Sequence, residues 1–199
     1  MSKVILSLFP GVGLLDRGFE DEGYCVVRGP DLLWGGDIRK FNPPGGIFWG
    51  IIAGSPCQDF SRRRRDKPTG YGLEMLDQFT RCVTLGRPEW WLLENVDRVP
   101  DVTIPGYNWQ RLDIELAWFT DVRRLRHIQF GSQSGYLLGG SRKKVYPRAS
   151  QAVLANDDRP LCDMARLQGL PDNWDLPGFT VKSQPVDERC DHRRISRPA

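Results

Sequence analysis

The stretch Gly54–Ser61 places a cysteine where its thiol could react. It follows an apolar run, residues 47–53, which predicts a buried β-strand, and its Gly-Ser-Pro sequence ends that strand sharply. A cysteine directly after such a strand faces a cleft, and Pro56 fixes the chain direction and so the aim of the Cys57 thiol. A thiolate in this position can act as a nucleophile. The alternative is that Cys57 is a small buried hydrophobic residue.

A carboxylate and two guanidinium groups are placed to act beside this thiol. Glu94 follows another apolar run, so it ends a second predicted strand. Arg124 and Arg126 are two residues apart in a strand predicted over 124–131, which places both on one face. Because ligands bind at the carboxyl ends of strands in an open α/β sheet, we expect these groups to meet near Cys57. The alternatives are a helix-capping glutamate and two surface arginines.

A glycine turn near the start of the chain predicts a site for a nucleotide-like ligand. A predicted strand, 4–9, is followed by a Pro-Gly-Val-Gly turn, a helix over 14–22 and a strand over 24–27. This is the order of a dinucleotide-type α/β unit, in which glycines let the backbone approach the ligand. Asp31 follows the second strand, where a carboxylate can accept hydrogen bonds from ribose hydroxyls. A plain strand-to-helix turn and an ordinary loop aspartate are the alternatives.

Length and composition favour one folded domain. The chain has 199 residues, of which 40% are hydrophobic and seven are tryptophan, enough for a sizeable core. A further amphipathic helix is predicted over 73–85. Five scattered cysteines favour a reducing, cytoplasmic compartment. The first residues predict no signal peptide, and no apolar run approaches the roughly 20 residues that cross a bilayer. His127 is expected to be structural or exposed, and Cys190-Asp191-His192 is too sparse to predict a metal site.

Three basic clusters are candidates for phosphate contacts. The net charge of +3 is weak support by itself, but the charge is concentrated at 62–65, 123–126 and 142–144. Such clusters can bind phosphates, and they can also be solvated loops. The first cluster lies in the loop after Cys57. The predicted nucleic-acid contacts of this loop are Gln58, Ser61, Arg62, Arg63, Arg64 and Arg65.

Six motifs follow one another in the order found in the cytosine-5 DNA methyltransferase family. They are Phe-Pro-Gly-Val-Gly (9–13), Asp-Ile (37–38), Pro-Cys-Gln (56–58), Glu-Asn-Val (94–96), Arg-Leu-Arg (124–126) and Arg-Leu-Gln-Gly-Leu-Pro (166–171). The chain therefore resembles that family over most of its length. The resemblance implies an α/β fold: a Rossmann-like class I methyltransferase sheet with helices on both faces and a minimal target-recognition insert.

The resemblance also implies S-adenosyl-L-methionine as the cofactor, bound at the glycine turn. Phe9 would pack on the adenine side, and the two glycines would admit the methionine part. The Asp-Ile pair would meet the adenine, and Asp31 is the candidate for the ribose. The cofactor-binding residues implied in this way are Phe9, Gly11, Gly13, Asp31, Asp37, Ile38 and Pro56.

The implied reaction is methyl transfer to carbon 5 of a cytosine flipped out of double-stranded DNA. Carbon 5 is a poor nucleophile, but addition of the Cys57 thiolate to carbon 6 gives an enamine-like ring that can attack a sulfonium methyl. Glu94 would relieve the charge at ring nitrogen 3. Arg126 would hold the ring oxygen, and Arg124 would orient Glu94 or a phosphate. The implied catalytic residues are Cys57, Glu94, Arg124 and Arg126.

Three features depart from the family pattern. Val122 stands where the family has glutamine. Only 32 residues (164 − 131 − 1) separate Gly131 from Met164, where the family carries a long target-recognition region; so short a segment predicts relaxed sequence specificity. The closing Gly-Asn-x-Val-Pro motif has an approximate counterpart at 178–181, but 183–199 does not match it. We therefore expect a weakened cofactor pocket, or a partner subunit that supplies this motif.

The predicted organisation is a catalytic domain over 1–182, with 132–160 as its reduced target-recognition segment. Residues 183–199 are rich in proline and charge and predict a disordered or unrelated tail. The small layout resembles phage-borne DNA (cytosine-5-)-methyltransferases, including those of restriction-modification. Two other functions remain open: a catalytically weak remnant that binds DNA or a partner, and an RNA cytosine-5 methyltransferase. A donor that carries a group larger than methyl also remains open.

Overall fold

The fold is described here from a computed structural model, which covers residues 3–62, 64–119, 122–139 and 150–151. These ranges contain eight strands and two α-helices, together with short 3-10 helices at Leu32–Trp34, Ile38–Lys40 and Leu116–Trp118. The strands are β1 (Val4–Leu8), β2 (Cys25–Arg28), β3 (Gly50–Gly54), β4 (Trp90–Asn95), β5 (Asn108–Glu115), β6 (Val122–Arg123), β7 (Leu125–Ser132) and β8 (Ser150–Gln151), and the helices are α1 (Leu14–Asp21) and α2 (Tyr71–Gly86).

Six of the strands form one mixed sheet, in the order β2-β1-β3-β4-β7-β5. The first four are mutually parallel, whereas β7 runs antiparallel to both β4 and β5. Strands β6 and β8 form a separate parallel pair. The predicted strands and helices are confirmed with boundaries shifted by a few residues. Strand β5 was not predicted, because 97–119 contains two prolines and a glycine and has no clear apolar period.

Both faces of the sheet carry a hydrophobic core. Neighbouring residues of β3 alternate between the two cores, as side chains on a strand must, with Ile51 in one and Ile52 in the other. Helix α2 covers the first core through residues that include Met75 and Phe79. Helix α1 packs Leu15 and Phe19 against the second. Helices therefore lie on both faces, as the α/β prediction required.

Several predicted features lie outside the described residues. These are Arg63, the basic cluster 142–144, the motif 166–171, the tail 183–199 and most of the predicted target-recognition segment. In the described part of the chain, no helix combines the length and the apolar character that crossing a membrane requires.

Candidate active site

The loop that carries Cys57 is tied to the end of β4 by a buried asparagine. Asn95 donates from Nδ2 to the Ser55 carbonyl at 3.0 Å and to Ser55 Oγ at 2.8 Å, and its Oδ1 accepts from the Val96 N–H at 2.7 Å. Only 2% of Asn95 and 5% of Ser55 are exposed. These hydrogen bonds hold the ends of the parallel strands β3 and β4 together immediately before Cys57. Cys57 is half-buried and has a free thiol.

Glu94 lies at this same edge and pairs with an arginine from β7. In the parallel ladder Glu94 is opposite Gly54, three residues before Cys57. The Arg126 Nε lies 2.7 Å from Glu94 Oε1, and 28% of the Arg126 side chain and 30% of the Glu94 side chain are exposed. We predicted that Arg126 would hold the ring oxygen of a substrate, and the structure gives it an ion pair with Glu94.

Arg124 shares the electrostatic environment of these groups. Its burial, and next the charge of Arg126, lower the pKa of Arg124, whereas the negative charges of Glu94 and of a Cys57 thiolate raise it. The charges of Glu94 and of a Cys57 thiolate therefore act on the Arg124 guanidinium, and such interactions weaken with distance. The structure thus brings together the four side chains predicted to be catalytic.

A cleft of about 190 Å³ opens beside them. Six of the seven predicted cofactor residues line it, together with a residue predicted for nucleic-acid contact: Phe9, Gly11, Asp31, Asp37, Ile38, Pro56 and Gln58. Gly13, the seventh, is not among the residues that line the cleft. A Cβ placed on Gly13 would lie 2.4 Å from the Arg28 guanidinium, which Asp16 holds by an ion pair of 2.9 Å. The cofactor role of Gly13 stays a prediction.

Hydrogen bonds from across the cleft fix the glycine turn. The Gly11 N–H donates to Asp31 Oδ2 at 2.8 Å, and the Trp34 indole donates to the Gly11 carbonyl at 2.8 Å. Asp31 Oδ1 accepts from the Leu33 N–H at 2.8 Å. Phe9 and Gly11 both have φ of 54°, in the left-handed region that strains a non-glycine residue. The Asp31 carboxylate therefore shapes the turn, and its contact with a ribose stays a prediction.

The opposite wall of the cleft comes from Asp37, Ile38 and the first turns of α2. The Arg39 N–H donates to Asp37 at 3.0 Å, and this bond is the main cause of the lowered pKa of Asp37. Arg39 also grips Glu74 with two contacts, of 2.6 Å and 3.2 Å, and thus joins the two parts of the wall. A Cβ on Gly11 would have no atom within 4 Å. An ionised carboxylate, apolar walls and this open turn fit an adenosine-type cofactor such as S-adenosyl-L-methionine.

Sequence reasoning missed six residues that line the cleft. They are Pro30, Leu32, Gly36, Gly54, Tyr71 and Met75. The last two begin α2, and a helix that follows a strand of an α/β sheet starts near the carboxyl edge of that sheet. That rule is the signal that could have found them. A larger cavity, of about 500 Å³, lies near Arg87 and Tyr107 and contains none of the predicted site residues.

The arginine-rich loop after Cys57 has internal partners. Asp59 accepts hydrogen bonds from Gly72, Thr69 and Arg64, and those from the backbone of Gly72 and Thr69 are the main causes of its lowered pKa. Arg64 also donates to the carbonyls of Asp66 and Lys67, so this loop is folded on itself.

Two other described arginines of the loop face outward. Arg62 pairs with Asp97 while 66% of its side chain is exposed, and Arg65 is exposed. Ser61 is half-buried. Within the loop, Arg62 and Arg65 are therefore the described arginines best placed to meet a phosphate.

The sheet, its flanking helices and the cleft at its carboxyl edge have the class I methyltransferase fold. Residues 34–103 match the family model of the C-5 cytosine-specific DNA methylases. This match confirms the resemblance that the motifs predicted. It includes Cys57, Glu94 and the wall of the cleft at Asp37. No curated protein matches the sequence at a significant level.

One solved structure supports the fold, and two others show a weaker similarity. A protein assigned as a DNA modification methyltransferase, encoded within an E. coli prophage, superposes with a TM-score of 0.53 and 20% identity, over 67% of this chain and 47% of that one. This chain thus spans about half the length of that protein. Entamoeba histolytica methyltransferase EhMeth gives a TM-score of 0.48 at 10% identity, over 73% and 58% of the two chains. Spodoptera frugiperda DNMT2 gives 0.46 at 17%, over 71% and 53%.

Proposed function

We propose that this protein transfers a methyl group from S-adenosyl-L-methionine to carbon 5 of cytosine in DNA. The observation that carries the proposal is the convergence of Cys57, Glu94, Arg124 and Arg126 beside a cleft that fits the cofactor. A thiol, a carboxyl group and guanidinium groups are what conjugate addition to a pyrimidine needs. The matched family model supports the reaction, and its description names DNA as the substrate.

Each residue has a defined task in this reaction. S-adenosyl-L-methionine, when bound, supplies the electrophilic methyl group. The Cys57 thiolate adds to carbon 6 of the flipped base, and a proton from Glu94 at ring nitrogen 3 relieves the charge that develops. The guanidinium of Arg126 holds Glu94 and can reach the ring oxygen. Carbon 5 takes the methyl group, and the sulfonium becomes a neutral thioether. Carbon 5 then loses its proton to water, ring nitrogen 3 returns its proton to Glu94, and expulsion of the Cys57 thiolate leaves a cytosine with one added methyl group.

The cleft walls would hold the cofactor through this chain's own residues. Phe9 would pack against the adenine, the carboxylate of Asp37 would accept from it, and Asp31 and Gly11 would line the ribose and methionine parts. Pro56 and Gln58, the two neighbours of Cys57 in the chain, both line this cleft, so they would separate cofactor from base. In this proposal the methyl donor and the base would lie on either side of the Pro56–Gln58 turn.

The exposed cations of the cysteine loop support a nucleic-acid substrate. Arg62 and Arg65 lie within eight residues of the nucleophile (65 − 57), where a phosphate flanking an extruded base would pass. Phosphate contacts make binding dependent on salt concentration. We propose double-stranded DNA, bound with short or relaxed sequence preference in the cytoplasm, with RNA as an outcome to be tested.

The domain organisation completes the proposal. Residues 1–182 would form the catalytic domain, with 132–160 as the reduced recognition segment, and a partner subunit would supply the closing motif. Modification of phage DNA is the proposed context. A role within restriction-modification is a further part of the proposal.

The test is covalent trapping. A DNA duplex containing 5-fluorocytosine and labelled cofactor should give a stable protein adduct, because carbon 5 of this analogue has no proton to lose. Cys57→Ser should form no adduct. Cys25→Ser, which changes an exposed cysteine on β2, should react like the wild type. Equal adducts from both variants, or none from the folded wild type, would refute the proposal.

Two further arms separate the alternatives. An RNA duplex with the same analogue should trap less protein than DNA; a stronger RNA adduct would move the substrate class to RNA. Calorimetry with S-adenosyl-L-methionine should show saturable binding below millimolar concentration. Absence of binding at that concentration would instead favour the non-catalytic remnant, and mass spectrometry of the product would reveal a transferred group larger than methyl.

A further inference from the structure

We propose that His127 and Gln129 are positioning residues for methyl transfer. Both lie on β7, and together they hold residues 97–102, the segment that directly follows the Glu-Asn-Val motif. This inference rests on the function proposed above, because it concerns the placement of Glu94 and of the cysteine loop. The segment contains no helix or strand. Its Val99 N–H donates to the Val96 carbonyl at 3.1 Å, and side chains bind other backbone polar groups of the segment.

Gln129 satisfies two backbone groups of the segment at once. It is fully buried. Its Oε1 accepts from the Val102 N–H at 2.6 Å, and its Nε2 donates to the Pro100 carbonyl at 2.8 Å. The indole of Trp109 also donates to Oε1, at 3.2 Å. A buried amide with partners on both of its atoms fixes both the segment and its own orientation.

His127 faces the same segment with one of its two ring nitrogens. It is also fully buried, and its Nδ1 lies 2.8 Å from Asp113 Oδ1 on β5. Its Nε2 lies 3.9 Å from Asp101 Oδ1 and has no hydrogen-bond partner among the described residues. Each ring nitrogen thus faces a carboxylate, and the hydrogen bond with His127 is the main cause of the lowered pKa of Asp113.

Arg111 on β5 joins His127 and Gln129 at this segment, and we call these three residues the clamp. The Arg111 guanidinium lies 3.0 Å from Asp101 and 3.5 Å from Asp113. A third contact, of 3.3 Å, reaches the Asp97 carbonyl. The carboxylate of Asp97 in turn pairs with Arg62 from the loop that follows Cys57. A continuous set of polar contacts therefore runs from His127 to the loop of the nucleophile.

The clamp and Glu94 lie on opposite faces of β7. His127 lies opposite Asn95 in the β4–β7 ladder. Arg126, the preceding residue, points to the other face of the strand and pairs with Glu94. One face of β7 therefore holds Glu94 directly, while the other face fixes the chain immediately beyond it. Displacement of the segment would shift Glu94 relative to the base, and a misplacement of about 1 Å can cost about 100-fold in rate.

Four variants test the inference. His127→Leu and Gln129→Leu remove the polar contacts, and His127→Asn keeps a donor toward Asp113. Phe130→Leu is the matched control, because Phe130 is buried on the opposite face of β7, outside both the clamp and the cofactor cleft. The readouts are the rate of 5-fluorocytosine adduct formation, the dissociation constant of S-adenosyl-L-methionine, thermal unfolding and hydrogen exchange of residues 97–102.

The two leucine variants of the clamp should slow adduct formation about 10- to 100-fold and leave the cofactor dissociation constant unchanged, since none of the clamp residues lines the cleft. Hydrogen exchange should quicken in residues 97–102, and His127→Asn should recover part of the rate. Phe130→Leu should lower the unfolding temperature and keep the rate.

If the leucine variants slow adduct formation no more than Phe130→Leu does, the inference is wrong. It is also wrong if they raise the dissociation constant of S-adenosyl-L-methionine by the same factor by which they slow adduct formation. A folded wild type that forms no adduct would instead overturn the proposed function. Hydrogen exchange still decides the clamp in that case, because unchanged exchange of residues 97–102 in the leucine variants would refute it.

Discussion

Replacement of Asn95 by alanine tests whether the Glu-Asn-Val motif anchors the cysteine loop. Asn95 makes two hydrogen bonds to Ser55 and accepts a third from Val96, all in a buried environment. The Asn95→Ala variant removes these three bonds and leaves the Ser55 carbonyl and the Val96 N–H without their partner. We expect both lower stability and slower adduct formation.

The magnitude follows from the burial of these groups. A buried hydrogen bond contributes about 1 kcal/mol net, and a buried group left without its partner costs about 1–3 kcal/mol. We therefore expect Asn95→Ala to lower the free energy of unfolding by about 2–4 kcal/mol. With a urea slope of about 2 kcal/mol/M, the unfolding midpoint should fall by about 1–2 M.

The assay is urea unfolding followed by tryptophan fluorescence, with two companion variants. Asn108→Ala is the matched control, since its side chain is exposed and makes one long contact of 3.4 Å to Ser132; it should cost under about 0.5 kcal/mol. Ser55→Ala removes one of the two acceptors, and the double variant should show a coupling of about 1 kcal/mol. A loss for Asn95→Ala as small as that for Asn108→Ala would refute this reasoning.

Three further variants probe the loop, the cleft and the core. Hydrogen bonds hold the pKa of Asp59 below its usual range, so the stability that they contribute is present above pH of about 4 and is lost as pH falls through the lowered pKa. The urea midpoints of wild type and Asp59→Asn should accordingly converge in acid, and a constant gap from pH 7 to pH 2 would contradict this. A Cβ on Gly54 would lie 3.9 Å from Glu94 Oε2 and from the Phe9 carbonyl, so Gly54→Ala should fold normally. By calorimetry it should weaken cofactor binding about tenfold, or about 1.4 kcal/mol, and unchanged affinity would show that the cofactor lies elsewhere. A Cβ on Gly131 would lie 2.4 Å from the ring of the fully buried Trp91, so Gly131→Ala should cost about 1–3 kcal/mol. Thermal unfolding measures that cost, and an unshifted unfolding temperature would count against the packing described.

Much of this fold can be predicted from local signals in the sequence. The strands that end at Gly54 and Asn95 are apolar runs with abrupt polar ends, and α2 has a clear helical period, so each signal lies within one stretch. The missed features depend on contacts between distant stretches. Asp31 meets Gly11 twenty residues earlier, at 2.8 Å, and the polar edge strand β5 is held by its pairing with β7. The sequence left open whether His127 is structural or exposed, because its burial comes from the strands on both sides of β7.

The contacts of the site divide into two kinds that suit two tasks. Asn95 and Gln129 hold backbone through buried hydrogen bonds, which are costly to break and so keep the strand ends in place. The ion pairs of Arg126 with Glu94 and of Arg62 with Asp97 are partly exposed, and pairs of this kind contribute only about 0–1 kcal/mol. A ring oxygen or a phosphate can therefore replace either carboxylate at little cost. This difference reconciles the predicted role of Arg126 on the base with its contact to Glu94. The same guanidinium can bind either group while the hydrogen bonds of Asn95 and Gln129 keep the backbone in place.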